Sequence, residues 1–285
     1  MAISGDDILV RTISTPTGRA GGHAWSYDSR SDHHSKVACW GIVFDLMRNS
    51  ETIRRHVADG KIVFGINHPF RDFRTNKPKK LDLVICRSAL QDWQKSRKPH
   101  TLAALAKKHD VALTKAETAE LEALPEFKEG LVGSVLVALE AKACMTEHQK
   151  AQPRLYDELN SSHRIVHGEN DQAIAAGFVM VNIAKRFISS DRNSGRNPRD
   201  YEWNEHPQPR FVGITMKTVD QLPRRMRPGE DGYDALGVVV VNCLNDGSRV
   251  KIHKAVPAPQ AGEVYHYAAF VARLRGFYES RFGHL

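Results

Sequence analysis

Asp82, Glu140 and Lys142 are of types that could handle a phosphate diester between them. Side chains alternate across a strand, so within VLVALEAK the Glu140 carboxylate and the Lys142 ammonium point to one face, with Ala141 between them facing the other. LDLVI, at 81–85, is a second apolar run of strand length. Laid beside the first, it makes Asp82 and Glu140 a carboxylate pair of the kind that holds a hard divalent cation, with water and a phosphate oxygen completing the octahedron. Magnesium is the expected occupant, with manganese as a substitute. An isolated Glu-x-Lys triplet is more often a solvent-facing ion pair of little energetic weight, so the reading depends on the elements around it.

Those elements follow from periodicity. Val37, Trp40, Ile42, Val43, Phe44 and Met47 recur at helical spacing over Ser35 to Met47, and a second helix covers Glu51 to Ala58 before Gly60 stops it. KIVFGI at 61–66 and LDLVI are strands joined by HPFRDFRTNKPKK. Residues 88–129 turn rich in Ala, Lys, Glu and Leu and read as two helices separated near Val111 to Thr114. SVLVALEAK at 134–142 is the next strand; a helix over 147–166 follows, with Pro153 marking a break, and then AAGFVMVNIA at 175–184, a run suited to a strand covered on both faces. Strand, helix and buried strand make a right-handed crossover in a mixed sheet. Further on, FVGIT reads as a short strand, ALGVVVVNCL at 235–244 as another, NDG as a hairpin turn into RVKIH, and EVYHYAAFVARLRGFYESRF as a closing helix that serves either the core or a dimer seam. Residues 1–30, rich in Gly, Ser, Thr and Asp, read as an extended arm. The expected fold class is α/β, a mixed central β-sheet flanked by helices in one domain over 1–285: a core at about 35–185, a helical insertion at about 88–129 and a C-terminal elaboration at about 186–285.

In this order of elements, with Asp82 on one strand and Glu140-Ala141-Lys142 ending the next, the chain resembles the PD-(D/E)XK nuclease superfamily, which includes most type II restriction endonucleases and many repair and defence nucleases. Leu81 stands where that family often has proline before the first acid, and the helical insertion must loop out of the sheet. The resemblance implies a restriction-endonuclease-like core in which Asp82 and Glu140 ligate the metal. Lys142 would orient or help deprotonate the attacking water while neutralising charge on the scissile phosphate. It also implies polar side chains on the following helix near the phosphate, where His148, Gln149, Lys150 and Arg154 stand; Gln149 and Arg154 are preferred. The first helix would offer Asp45 or Glu51 as a further carboxylate. The activity implied is that of a magnesium-dependent DNA endonuclease, a type II restriction or phage-defence enzyme acting on double-stranded DNA as a homodimer.

Nucleic-acid contacts should follow charge. Lys plus Arg outnumber Asp plus Glu by 41 to 33, a net +8 with a pI near 9.3, which suits a polyanionic partner without choosing one. Residues 68–100 hold nine Lys or Arg against three Asp, a net +6, and 185–227 hold ten against five acids, a net +5. Arg71, Arg74, Lys79 and Lys80 in the first segment, and Arg192, Arg196 and Arg199 in the second, are the candidate DNA contacts beside Arg154. Both segments also read as ordinary solvated loops. Residues 110–129, with six acids against two lysines, would repel phosphate. With 41% hydrophobic and 26% charged residues, the chain is not wholly disordered, collagenous or coiled-coil. Cys39, Cys86, Cys144 and Cys243 are too scattered for a zinc site, and GRAGGH lacks the context of a phosphate-binding loop. No secretory signal or transmembrane run is apparent, so a cytoplasmic location and no membrane partner are expected. The rival readings are a non-catalytic nucleic-acid-binding protein, and a repair nuclease or ribonuclease on the same scaffold.

Overall fold

The computed structural model describes residues 3–18, 24–71, 78–88 and 100–285. In chain order its elements are α1 (Gly5–Ile13), β1 (Thr17–Gly18), β2 (Ala24–Trp25), α2 (His33–Asn49), α3 (Glu51–Ala58), β3 (Ile62–Arg71), β4 (Pro78–Ser88), α4 (Leu102–Lys108), α5 (Lys115–Ala123), β5 (Val132–Cys144) and α6 (His148–Glu169). There follow β6 (Ile174–Asn182), β7 (Arg186–Ile188), β8 (Trp203–Glu205), α7 (Arg210–Asp220), β9 (Ala235–Asn242), β10 (Lys251–Ile252) and α8 (Tyr267–Phe282). Six strands form one sheet in the order β10-β9-β6-β5-β4-β3. It is parallel across β9, β6 and β5, and antiparallel from β5 through β4 to β3 and from β9 to β10. The expected α/β architecture, a mixed sheet flanked by helices, is present. β5, α6 and β6 form the parallel crossover unit read from the sequence, and β6, α7 and β9 form a second.

Burial on both faces explains the unbroken apolar runs of β6 and β9. Ile174, Ala176, Phe178 and Met180 pack toward α2 and α8, while Ala175, Val179 and Val181 pack toward α6 and α7. α8 spends its apolar residues on the core: Phe270 is 0% exposed and Leu274 1%. The four cysteines are buried and free. Among the described residues no helix is long and apolar enough to cross a membrane.

The structure corrects several local expectations. The first 30 residues are not simply an extended arm, because residues 5–13 form α1 and bury Ile8, Leu9 and Ile13 in the core. Asp45 of α2 receives the N–H groups of Ser4 and Gly5 at 3.1 and 2.8 Å, supplying partners that a helix start otherwise lacks. FVGIT is not a strand but the first half of α7, whose buried Val212, Thr215 and Val219 recur at helical spacing. Pro153 does not break α6, which runs through it. The hairpin strands β3 and β4 extend well into the segment read as their connection. As expected, the helices α4 and α5 between β4 and β5 stand outside the sheet, and this insertion is docked on the core: Trp40 Nε1 donates to Leu102 O at 2.8 Å, Arg11 pairs with Glu117 at 2.5 Å, and Phe127 packs on Phe64.

Candidate active site

Leu83 stands opposite Leu139, and Val84 opposite Ala138, in the antiparallel β4–β5 ladder. One step further along, Asp82 faces Glu140. Directly opposite residues of such a pair share a face, and alternation along β5 adds Lys142 to it. This is the face covered by α6, where Val84 and Ala138 cluster with Leu155 and Leu159. Gly177 of β6 is the parallel neighbour of Glu140, and a Cβ there would approach Leu236 to 2.6 Å.

Asp82 Oδ2 accepts a hydrogen bond from Ala141 N at 2.7 Å, which holds the carboxylate across the gap between the strands. Glu140 is 5% exposed. Its Oε1 lies 2.6 Å from Lys142 Nζ, and its Oε2 is buried without a hydrogen-bond partner. Lys142 also reaches Glu158 of α6 at 2.9 Å, and Arg154 approaches the other Glu158 oxygen at 2.5 Å. Charges therefore alternate through Glu140, Lys142, Glu158 and Arg154. Burial works against the Lys142 charge, yet the two carboxylates raise its pKa above the ordinary lysine value. Partial burial would likewise raise Glu158, but hydrogen bonds from Arg154 and Lys142 bring it below the usual glutamate value. Lys142 stays an ammonium, able to orient water or neutralise phosphate charge.

Asp82, Lys142, Glu158 and Arg154 line one cavity of about 590 Å³. Its opposite wall comes from Tyr27, Arg30, Asp32 and His34, at and just before the start of α2. Arg30 pairs with Asp191 at 2.6 Å, and Asn245 Oδ1 accepts from Tyr27 N at 2.9 Å, so the wall is tied to the loops after β7 and β9. His34 lines this cavity, but burial pushes its pKa down to about 4 and leaves it a neutral imidazole near pH 7.

Hard oxygen donors on adjacent strands suit magnesium or manganese better than a softer metal. Glu140 Oε2 is buried without a hydrogen-bond partner, one step along the β4–β5 ladder from the Leu83–Leu139 pair and so level with Asp82, but Glu140 is not itself among the residues that line the cavity. Among the described residues no group of three or more His, Cys, Asp or Glu side chains is arranged to hold a metal. A cation here would take two protein carboxylates, with water and substrate for the rest, a common magnesium arrangement.

The other expected residues divide. Lys150 and Arg154 line the cavity. Gln149 does not; it is exposed on α6 and borders an adjoining cavity. His148 is fully buried, its Nε2 donating to Asn182 O at 3.0 Å. Asp45 is also removed from the cavity: besides Ser4 and Gly5 it accepts from Tyr267 Oη at 3.0 Å, so it joins α1 and α8 to α2. Glu51 is exposed at the start of α3. Lys80 is exposed on β4, two residues before Asp82. Arg192 and Arg196 both pair with Glu202, at 2.7 and 2.6 Å, which offsets part of the positive charge expected of that loop. Arg199 borders a separate cavity with Tyr201 and Trp203. Arg74 and the side chains of Arg71 and Lys79 lie outside the described residues. Sequence reasoning missed Glu158, which stands four residues after Arg154 and hence on the same helical face.

No family model matches this chain, and neither does any curated protein or solved structure.

Proposed function

We propose that the protein is a magnesium-dependent DNA endonuclease. The observation that supports this most is the juxtaposition of Asp82, Glu140 with its unpartnered Oε2, and the Lys142 ammonium on one face of the β4–β5 pair beside an open cavity. A magnesium ion held by the two carboxylates would supply Lewis-acid activation of water and of the phosphate. Lys142 donates to a non-bridging phosphate oxygen, where negative charge grows as water attacks. Arg154 and Lys150 at the cavity wall draw the flanking phosphates in. Water attack at phosphorus breaks the bond to the leaving oxygen; by resemblance to the PD-(D/E)XK superfamily, the product keeps a 5′-phosphate. A restriction or phage-defence role, double-stranded DNA and a homodimer follow from the same resemblance.

Supercoiled plasmid incubated with the purified protein should be nicked and linearised with magnesium and left intact in EDTA. Lys142→Ala should lose roughly 10²–10³-fold in rate, the usual cost of removing one transition-state donor. Cleavage at the wild-type rate by that variant would remove the proposed site.

One observation favours a different reading. Lys142 is already bonded to two carboxylates, as a purely structural ion pair would be. A non-catalytic nucleic-acid-binding protein would bind DNA equally with and without magnesium and cleave neither DNA nor RNA.

A further inference from the structure

Among the described residues, each Lys and Arg lining the Lys142 cavity is already paired with a carboxylate. Arg30 lies 2.6 Å from Asp191, Lys150 3.1 Å from Glu147, and Lys142 2.6 Å from Glu140. Glu158 reaches two of these cations, one with each oxygen: its Oε2 is 2.9 Å from Lys142 Nζ and its Oε1 is 2.5 Å from Arg154 Nε.

An anion with one oxygen on an ammonium and the other on a guanidinium is held as two oxygens of a phosphate would be. The Glu158 side chain is 33% exposed and lines the cavity from α6, so a change of rotamer can turn it to water while the helix stays in place. Glu140 has no such freedom, because it is 5% exposed on the central strand β5. With its cations already paired, the cavity has little to offer a small anion. A lone phosphate would gain at Lys142 and Arg154 only the difference between itself and the carboxylate it removes. A strand brings adjoining phosphates to several pairs at once, and each one seated raises the local concentration of the next.

We propose that Glu158 stands in for a substrate phosphate: in the free protein its carboxylate fills the place between Lys142 and Arg154, and the phosphates of a nucleic-acid strand displace it. The inference rests on the nuclease reading and deepens it, because it makes the substrate of this cavity an extended polyanion rather than a mononucleotide or free phosphate. The exchange is of one anion for another. Lys142 and Arg154 keep an anionic partner throughout, and the released carboxylate gains hydration.

The test compares the full-length wild type, Glu158→Gln and Asp157→Asn. Asp157 is exposed on α6 and does not line the cavity, so its variant adds the same charge away from the site. Fluorescence anisotropy in EDTA, at fixed ionic strength, measures affinity for a short DNA duplex. Glu158→Gln should bind roughly tenfold more tightly than the wild type, the low end for one charge-assisted hydrogen bond because the site is partly open. Asp157→Asn should gain only about twofold, since salt screens a charge outside the site. With each protein half-saturated, inorganic phosphate should release the duplex from Glu158→Gln at a lower concentration than from the wild type. Glu158→Ala, which also removes the carboxylate, gives a second reading should the Gln variant fail to fold. A gain no larger than that of Asp157→Asn, with plasmid cleavage intact in the wild type, would overturn the proposal and leave the nuclease reading standing. Loss of cleavage in Glu158→Gln at unchanged affinity would also overturn it, by making Glu158 part of the chemistry. If the wild type cleaves no plasmid but Glu158→Gln still binds duplex more tightly, the nuclease reading falls and the displaced carboxylate stands.

Discussion

Lys142 lies 2.6 Å from Glu140 and 2.9 Å from Glu158, so a phosphate oxygen that draws the ammonium away must compete with both. Those carboxylates overcome the cost of burial and raise the lysine pKa. In Glu158→Gln one of them is neutral, and the Lys142 pKa should fall, read from its ¹³Cε chemical shift in an NMR titration. An unchanged midpoint would show that Glu158 does not hold the lysine. The sign for stability follows: a raised lysine contributes fully below its unfolded value of 10.5 and loses that contribution only as pH climbs above it. Asp82, Glu140 and Lys142 were legible because strand alternation is a local property of sequence. Glu158 was not, because its partner lies across a helix–sheet interface, although its four-residue spacing from Arg154 was a usable signal. Asp45 misled for the opposite reason. An acid among apolar neighbours suggests a site, and here its partners are the start of α1 and the Tyr267 hydroxyl.

At the level of elements, the sheet is held by buried polar clasps that no single segment reveals. Asp234, just ahead of β9, accepts from Ala175 N at 2.8 Å, from Arg225 Nε at 3.0 Å and from Arg281 of α8 at 2.5 Å. Arg225 is 1% exposed and Asp234 2%. Asp234→Ala would leave a buried guanidinium without its main partner and should destabilise the protein by about 3–5 kcal/mol in urea unfolding. Burial alone would raise the Asp234 pKa, but His167, Arg281 and Arg225 hold it far below the ordinary value of 3.8. Its contribution is therefore complete above that value and is lost as pH falls below it. The wild type should lose stability more steeply than Asp234→Asn on acidification below pH 4. The same dependence on distant partners explains which elements were misread. β6 and β9 declare themselves as apolar runs, whereas α1 needs the Asp45 carboxylate of α2, and FVGIT shows its helical period only when read through to Val219.

Across the whole molecule, the net +8 is not spread evenly. The acidic insertion turns Glu117 and Glu120 toward Arg11 and Arg48, on the α1–α2 side of the protein. The Lys142 cavity sets Arg30, Lys142, Lys150 and Arg154 against Asp32, Asp82, Glu147 and Glu158, so its lining is balanced in charge, with Lys80 two residues before Asp82 on β4. Composition could announce an excess of positive charge but not this sorting, because pairing such as Arg192 and Arg196 with Glu202 depends on how the loops fold. The central claim is that Asp82 and Glu140 share a divalent cation beside Lys142, and manganese soaked into crystals of the protein tests it most directly. The account predicts an anomalous difference peak about 2.1 Å from an oxygen of each carboxylate, absent from Glu140→Gln crystals treated alike. An intact carboxylate pair that stays without a peak at saturating manganese would contradict it.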